Sequence, residues 1–391
     1  MTLTSGYQSS LNKRNQELNV TAEFLTTCAC VVFLLINVAF YSYFTVSYSS
    51  GSLGYESGLF INALNDSDHE MYVSMIRLFE DENYFALFAS LTNNVGIAYI
   101  YLLLQQVFNY DLAQDTALVS FIVNSLVFLL AFMVFCKIVK LLDLTDKYVF
   151  VFFLNPGLIY YSQLINKESF SLLFALLMIY AVAANRIKLV LLLIPLSMIV
   201  RLQLGLFGLS LVWLYNRRNY MLSVALLYVI TSIGSAVFAT QVMPFDEAFL
   251  GLGTVQLVYA LNESYYIGSL IFNPIRVIQY LYDLSSTIVF VKDGAIDLYA
   301  LKDAPVAVLM LFLLPFLFYA FCRPNYYQHT AHRILMTSII TFMLVLLMNP
   351  LIHARYLFPI LPIVFLLGIA VINGAPSNAR AERAVPAVFR A

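Results

Sequence analysis

Long uninterrupted runs of Leu, Ile, Val, Phe and Tyr, each broken by a short polar or charged knot, set the pattern of this 391-residue chain. The runs are helix-length and do not alternate apolar with polar residues, so they read as helices and not as strands of a membrane barrel. Runs near 24–46, 116–136, 148–164, 169–185, 189–201, 204–215, 220–240, 304–322, 334–349 and 356–374 predict an all-α, polytopic membrane fold of about ten spans. The pair 189–201 and 204–215 is shorter than the roughly 20 residues a span needs. The knot holding Arg201 and Gln203 between them therefore predicts a tight hairpin dipping below the membrane surface. The run at 94–108 is short as well and contains Gln105 and Gln106, which reads as an interfacial or re-entrant helix within a loop.

Composition strengthens this picture. The chain is 61% hydrophobic and 11% charged, with a mean hydropathy of +0.83, whereas a soluble domain carries about 25% charged residues. Its partner is therefore the lipid bilayer, and a net charge of −1 offers no basic footprint for nucleic acid. The basic residues gather in six clusters: Lys13/Arg14, Lys137/Lys140/Lys147, Arg186/Lys188, Arg217/Arg218, Arg323/Arg333 and Arg380/Arg383/Arg390. Cytoplasmic loops collect Lys and Arg, so all six are expected inside, with both termini. The expected organisation is a cytoplasmic segment 1–23, a membrane module 24–240 that includes a first outer loop 47–115, a second large outer loop 241–303, C-terminal spans 304–374 and a cytoplasmic tail 375–391. The apolar run from 24 is too long for a cleaved signal and reads as an anchored first helix. Asn273-Pro274 in the second loop predicts the start of a short helix, because proline is tolerated in a first turn. The four cysteines have neither zinc nor disulfide spacing and read as small apolar fillers.

On this topology the remaining polar knots fall on the outer side. Asp66-Ser-Asp68-His-Glu70-Met-Tyr72 puts Asp68 with Tyr72, and Asp66 with Glu70, on shared helix faces at i and i+4. One carboxylate is suited to act as general base toward a hydroxyl. Two other readings stand beside it: acidic residues stabilising a helix start, or oxygen ligands from Asp66, Asp68 and Glu70 for a divalent cation, Mg²⁺ or Mn²⁺. Lys167-Glu168 reads either as an anion-holding lysine steadied by its neighbour or as an interfacial turn with a snorkelling lysine. Arg201, with no acidic residue within ten positions, offers a planar fork that matches a phosphate, or else snorkels. Arg276 in the second loop, and His353-Ala-Arg355-Tyr356 at the start of the last run, extend the set. No glycine-rich nucleotide loop accompanies them. A site on the outer face cannot draw on cytoplasmic nucleotides, so a group transferred there arrives already activated, most simply on a flipped lipid phosphate. A carboxylate base with several cations for a phosphate leaving group is the equipment for such a transfer.

With these residues the chain resembles the C-type integral-membrane glycosyltransferases that use polyprenyl-phosphate-linked sugar donors. Asp66-Ser-Asp68-His-Glu70-Met-Tyr72 is similar to their first-loop motif, whose aspartate serves as base. Pro156…Tyr161-Ser…Lys167-Glu168 resembles their outer junction between spans, and Arg355-Tyr356…Pro359…Pro362 resembles the opening of a late span in bacterial members. The layout matches over most of the chain, although the large soluble domain that many members append does not occur in these residues. The resemblance implies interfacial helices in the first outer loop and a bacterial inner-membrane enzyme with its site on the periplasmic face. It further implies inverting transfer from a polyprenyl-(di)phosphate-linked sugar to a glycan or lipid-linked acceptor in surface-polysaccharide synthesis, with no obligate cofactor. Asp68, or Asp66, would be the base, with Glu70, Tyr72, Lys167, Glu168, Arg201, Gln203, Arg276, His353, Arg355 and Tyr356 around the substrates. The same layout is shared by small polysaccharide repeat-unit polymerases, and a flippase for a lipid-linked glycan would also want arginines in a cavity.

Overall fold

Helix dominates the computed structural model, which describes residues 24, 26–46, 60–61, 67–81, 95–108, 112–237, 240, 254–292, 294–323, 326–327, 329–349 and 353–373. In chain order the helices are α1 (Thr26–Tyr43), closing in a π-helical turn over Tyr41–Val46, α2 (Ser67–Asp81), α3 (Val95–Phe108), α4 (Leu112–Leu141), a 3₁₀ segment (Asp146–Leu154) and α5 (Gly157–Ser162). After these come α6 (Glu168–Ala183), α7 (Ile187–Val200), α8 (Leu202–Tyr215), α9 (Tyr220–Val237), α10 (Thr254–Tyr265) and α11 (Gly268–Ser286). The last are α12 (Leu298–Cys322), α13 (Thr330–Leu346), a second 3₁₀ segment (Ala354–Ile360) and α14 (Leu361–Ile372). Five stretches are long and apolar enough to cross a membrane: Thr26–Tyr43, Leu118–Leu141, Tyr220–Val237, Leu298–Cys322 and Ala354–Ile372. Shorter apolar helices occupy Val95–Val107, Glu168–Ala183, Ile187–Val200, Leu202–Tyr215 and Thr330–Leu346.

Two expectations are corrected by proline. The run at 148–164 is not one helix but the 3₁₀ segment followed by α5, parted at Asn155-Pro156. Pro156 lacks an amide hydrogen and disfavours helical backbone at the residue before it. Asn155 accordingly adopts φ −107° and ψ 103°, and its Oδ1 accepts the Gly157 amide at 3.0 Å, which starts the next turn. Pro274 does not begin a helix either; it lies inside α11, which starts at Gly268. A proline there cannot donate to the carbonyl four residues back. That carbonyl, Leu270 O, is taken up instead by the hydroxyl of Tyr228 on α9.

The centre of the bundle is the late apolar run. Of Ala354–Ile372, 83% is buried, against 11% of Thr26–Tyr43. Around it α6 packs on α4, α7 and α8, while α8 packs on α13 and α12 on α14. Helices α7 and α8 are joined through Arg201 alone, which caps both in extended backbone (φ −159°, ψ 120°). Gly96 at the start of α3 fits against this hairpin because a Cβ there would stand 1.6 Å from the carbonyl oxygen of Ile199. Two helices end on left-handed polar residues, Asp143 and Asn185, with the 6→1 bonds Leu144 N to Val139 O (3.1 Å) and Arg186 N to Ala181 O (2.7 Å). A three-stranded sheet ties the two long loops together: β1 (Phe60–Ile61) pairs in parallel with β3 (Ala295–Asp297), which pairs antiparallel with β2 (Val291–Lys292).

The bundle has two chemically different ends. At the far end of α8, Arg333 donates to the carbonyls of Tyr215 (3.0 Å) and Arg217 (2.6 Å), bringing two of the basic clusters together. At the near end lie Glu168 at the start of α6, Arg201 before α8, and Leu347–Asn349 just past α13.

Candidate functional site

The near end collects the charged knots into one cluster. Asp68 stands in the first turn of α2, where the positive end of the helix dipole favours a carboxylate. Its Oδ2 accepts from Arg355 Nη1 at 2.6 Å, and both side chains remain about one-fifth exposed, at 23% and 19%. One turn on, Tyr72 is buried completely, and its hydroxyl has no hydrogen-bond partner. Burial and the negative charges of Glu168 and Asp68 hold this phenol well above its ordinary pKa, so it is a donor and not an anion.

The Lys167–Glu168 pair is carried by a rigid junction between α5 and α6. Asn166 Oδ1 accepts the amides of Glu168 (3.0 Å) and Ser169 (3.3 Å), and its Nδ2 donates to Tyr161 O (2.6 Å) and Leu164 O (2.7 Å). Asn124 on α4 braces the same turn: it donates to Leu164 O (2.7 Å) and accepts from Ser169 Oγ (2.6 Å) and Tyr101 Oη (3.2 Å). The Oε1 of Glu168 pairs with Arg201 Nη2 at 3.1 Å, with both side chains buried, while its charge also favours the Lys167 ammonium. Burial, reinforced by the Arg201 charge, lowers Lys167 to about 8. The ring of Tyr356 lies beside both guanidiniums, 5.4 Å from that of Arg201 and 5.3 Å from that of Arg355.

Beside Lys167, Arg201 and Tyr356 opens a cavity of about 110 Å³. Lys167, Arg201, Gln203, Asn349 and Tyr356 line its polar side, and Phe207 and Phe342 are among its apolar walls. Three cations (Lys167, Arg201, Arg355) against two carboxylates (Asp68, Glu168) leave one net positive charge, and the amino ends of α6 and α8 point the same way. Such a site suits a ligand that carries negative charge beside hydroxyl groups.

The other expected residues are placed as follows. Arg276 is buried and donates to Leu347 O (2.7 Å), Asn273 Oδ1 (3.2 Å) and Asn349 O, so its fork secures the chain beyond α13. His353 is exposed, edge-on to Tyr356 at 5.7 Å, and its pKa is lowered by partial burial and by Arg355. Glu70 is exposed and belongs to neither the Asp68–Arg355 nor the Glu168–Arg201 pair. Asp66 lies outside the described residues, and among those described no three His, Cys, Asp or Glu side chains converge as a metal ion needs.

Sequence reasoning missed three features. His69, unremarkable between Asp68 and Glu70, accepts the Ile165 amide on Nδ1 at 2.9 Å. Asn349 joins the cavity wall. Lys302 and Asp303, adjacent at the start of α12, form a buried pair at 2.6 Å beneath Tyr299, Tyr160 and Tyr161. The only signal for the last was an adjacent Lys-Asp entering an apolar run. Comparison with family models, curated proteins and solved structures finds no match to this chain.

Proposed function

We propose that this protein is a polytopic glycosyltransferase of about ten spans in a bacterial inner membrane. On this reading its site faces the periplasm and moves a sugar from a polyprenyl-phosphate-linked donor to a glycan or lipid-linked acceptor. The observation that carries the reading is the Asp68–Arg355 pair at 2.6 Å beside the Glu168–Arg201 pair and the cationic cavity. Asp68 takes the proton of the acceptor hydroxyl as its oxygen attacks the anomeric carbon. The bond from that carbon to the phosphate oxygen breaks, the phosphate leaves with the electron pair, and the anomeric configuration inverts. Lys167, Arg201 and Arg355 receive the departing charge.

The ion pair makes the base conditional. While the pair is closed, Arg355 Nη1 occupies Asp68 Oδ2. An arriving phosphate competes for Arg355 and releases Asp68 for proton transfer, so donor binding switches the base on. A repeat-unit polymerase would use the same chemistry with a longer lipid-linked donor. A flippase needs polar groups at mid-membrane and at both faces, whereas the paired acids and arginines of this cluster share one end of the bundle.

The test is transfer in proteoliposomes supplied with a polyprenyl-phosphate-linked sugar and a glycan acceptor, combined with reporter fusions. Fusions after Asp68, Lys167, Tyr266 and Pro350 should report the outer side, and those after Lys140 and Arg218 the inner side. A cytoplasmic signal after Asp68, or translocation of lipid-linked sugar with no new glycosidic bond, would overturn the reading.

A further inference from the structure

The charged cluster draws on elements far apart in the chain, and one of them meets the Lys167–Glu168 turn through a side chain. Helix α2, which carries Asp68 and Tyr72, packs mainly on α3. Among its polar ties to the rest of the site are two bonds. One is the Asp68–Arg355 pair, which the proposed donor must disturb. The other is the bond from the Ile165 amide to His69 Nδ1, 2.9 Å long and spanning 96 residues of sequence. Ile165 belongs to the turn that Asn166 and Asn124 make rigid, and that turn delivers Lys167 and Glu168.

We propose that His69 is a positioning residue: its Nδ1 latches α2 to the Lys167–Glu168 turn and so keeps Asp68 in register with the cations when Arg355 moves to the phosphate. Acceptance on Nδ1 places the ring proton on Nε2 and requires a neutral imidazole. Burial supports this, since it lowers His69 to about 4 and keeps the ring neutral at physiological pH. The backbone amide is the right donor for a latch, because no substitution at Ile165 other than proline removes it. A buried amide left without an acceptor is unfavourable, so the turn favours the latched state. Without the latch, α2 keeps its packing on α3 but loses its fixed distance to the turn. Misplacing a catalytic group by 1 Å costs about 10²-fold in rate.

This inference rests on the reading of Asp68 as base, and the experiment separates the two. Backbone hydrogen exchange and transfer are measured on the full-length protein in proteoliposomes for wild type, His69→Leu and His69→Asn. Asparagine Oδ1 sits where Nδ1 does on the side chain and can accept the same amide, whereas leucine cannot. His69→Leu should speed exchange in residues 67–81 and at Ile165 roughly tenfold while leaving the distant α9 unchanged. It should also lower kcat about 10-fold to 10²-fold, with donor KM nearly unchanged. His69→Asn should restore both to within about threefold of wild type. Unchanged exchange in His69→Leu, or equal damage in His69→Asn and His69→Leu, would overturn the latch. The expected exchange pattern in a protein that transfers no sugar even as wild type would uphold the latch and overturn the glycosyltransferase reading.

Discussion

Glu168 pairs with Arg201 across 33 residues, and Asp68 with Arg355 across 287. Between residues 276 and 303, by contrast, Lys302 pairs with its own neighbour, Asp303, under a roof of tyrosine rings. There Arg276 is matched to the backbone carbonyls of Leu347 and Asn349, and Asp283 to the amide of Ala354 at 2.7 Å. Both regions bury charge, and both match it. They differ in what a ligand could take over. Backbone partners fix a fold, and a neighbouring pair can form before the fold exists. Pairs made between distant helices around a cavity leave side chains whose partner an incoming anion can replace. The comparison teaches that the use of a buried arginine is read from its partner and not from its depth.

Asp68→Asn should break the first region most. It keeps size and hydrogen bonding but removes the base, so transfer should fall by about 10²–10⁴-fold at normal membrane levels. Asp66→Asn, lacking the face shared with Tyr72, should do less. The pair is scored by glycan formed at matched expression, and full activity in Asp68→Asn would remove this carboxylate from the chemistry. Arg201→Ala comes next. Removing one partner of a buried pair typically costs about 3–5 kcal/mol, because Glu168 is left charged and unmatched. Thermal unfolding in detergent should show the loss, and added phosphate should no longer protect. Arg201→Lys should keep more stability yet bind phosphate poorly, since a point charge does not reproduce the fork. Equal phosphate protection in Arg201→Lys and wild type would make Arg201 an anchor like Arg276.

Arg276→Met sharpens the contrast from the other side. It leaves the carbonyls beyond α13 without donors, at about 1–3 kcal/mol. The expected result is a lower unfolding temperature with donor KM unchanged in the protein that remains folded. A rise in donor KM at full stability would return Arg276 to the phosphate site.

Much of this arrangement was legible in the sequence, and the reason is solvation. Helix-length apolar runs mark helices directly, so α6 to α9 fall within a few residues of their expected bounds. Asp68, Lys167, Arg201 and Arg355 stood out because charge is rare among such runs. What failed was local and chemical. Pro156 broke a run that composition alone reads as continuous, and Pro274 sits mid-helix because Tyr228, distant in sequence, takes the carbonyl it leaves free. The pairings were not legible, since they are set by how helices meet. Arg276 looked equivalent to Arg201 until its carbonyl partners were seen, and His69 looked unremarkable until the Ile165 amide was found on it.

Lys167 offers a smaller, graded test through pH. Burial and Arg201 lower it to about 8, while Glu168, Asp68 and Arg355 also act on it. Below that value the ammonium adds to the cationic wall; as pH rises through it, that charge is lost. A phosphodiester ligand keeps constant charge over this range, so its affinity should fall up to about tenfold per pH unit above 8. Lys167→Met should flatten the profile. A Lys167→Met profile that still falls above pH 8 would assign the titration to another group.

The smallest effect is expected where the second region is replaced as a unit. Lys302 and Asp303 satisfy one another at 2.6 Å, and the ammonium rests 3.7 Å from the Tyr299 ring centroid and 5.3 Å from those of Tyr160 and Tyr161. Substituting one partner strands a buried charge and should cost about 3–5 kcal/mol. Substituting both, as Lys302→Met with Asp303→Leu, removes the desolvation penalty together with the attraction, and methionine sulfur keeps a favourable contact with the rings. The double variant should therefore unfold within about 1 kcal/mol of wild type, far from the sum of the single variants. Its transfer rate should stay close to wild type, because its loss touches no group lining the cavity. A double variant that is fully stable yet inactive would break the division drawn between the two regions, and would place the tyrosine-covered pair among the groups that handle substrate.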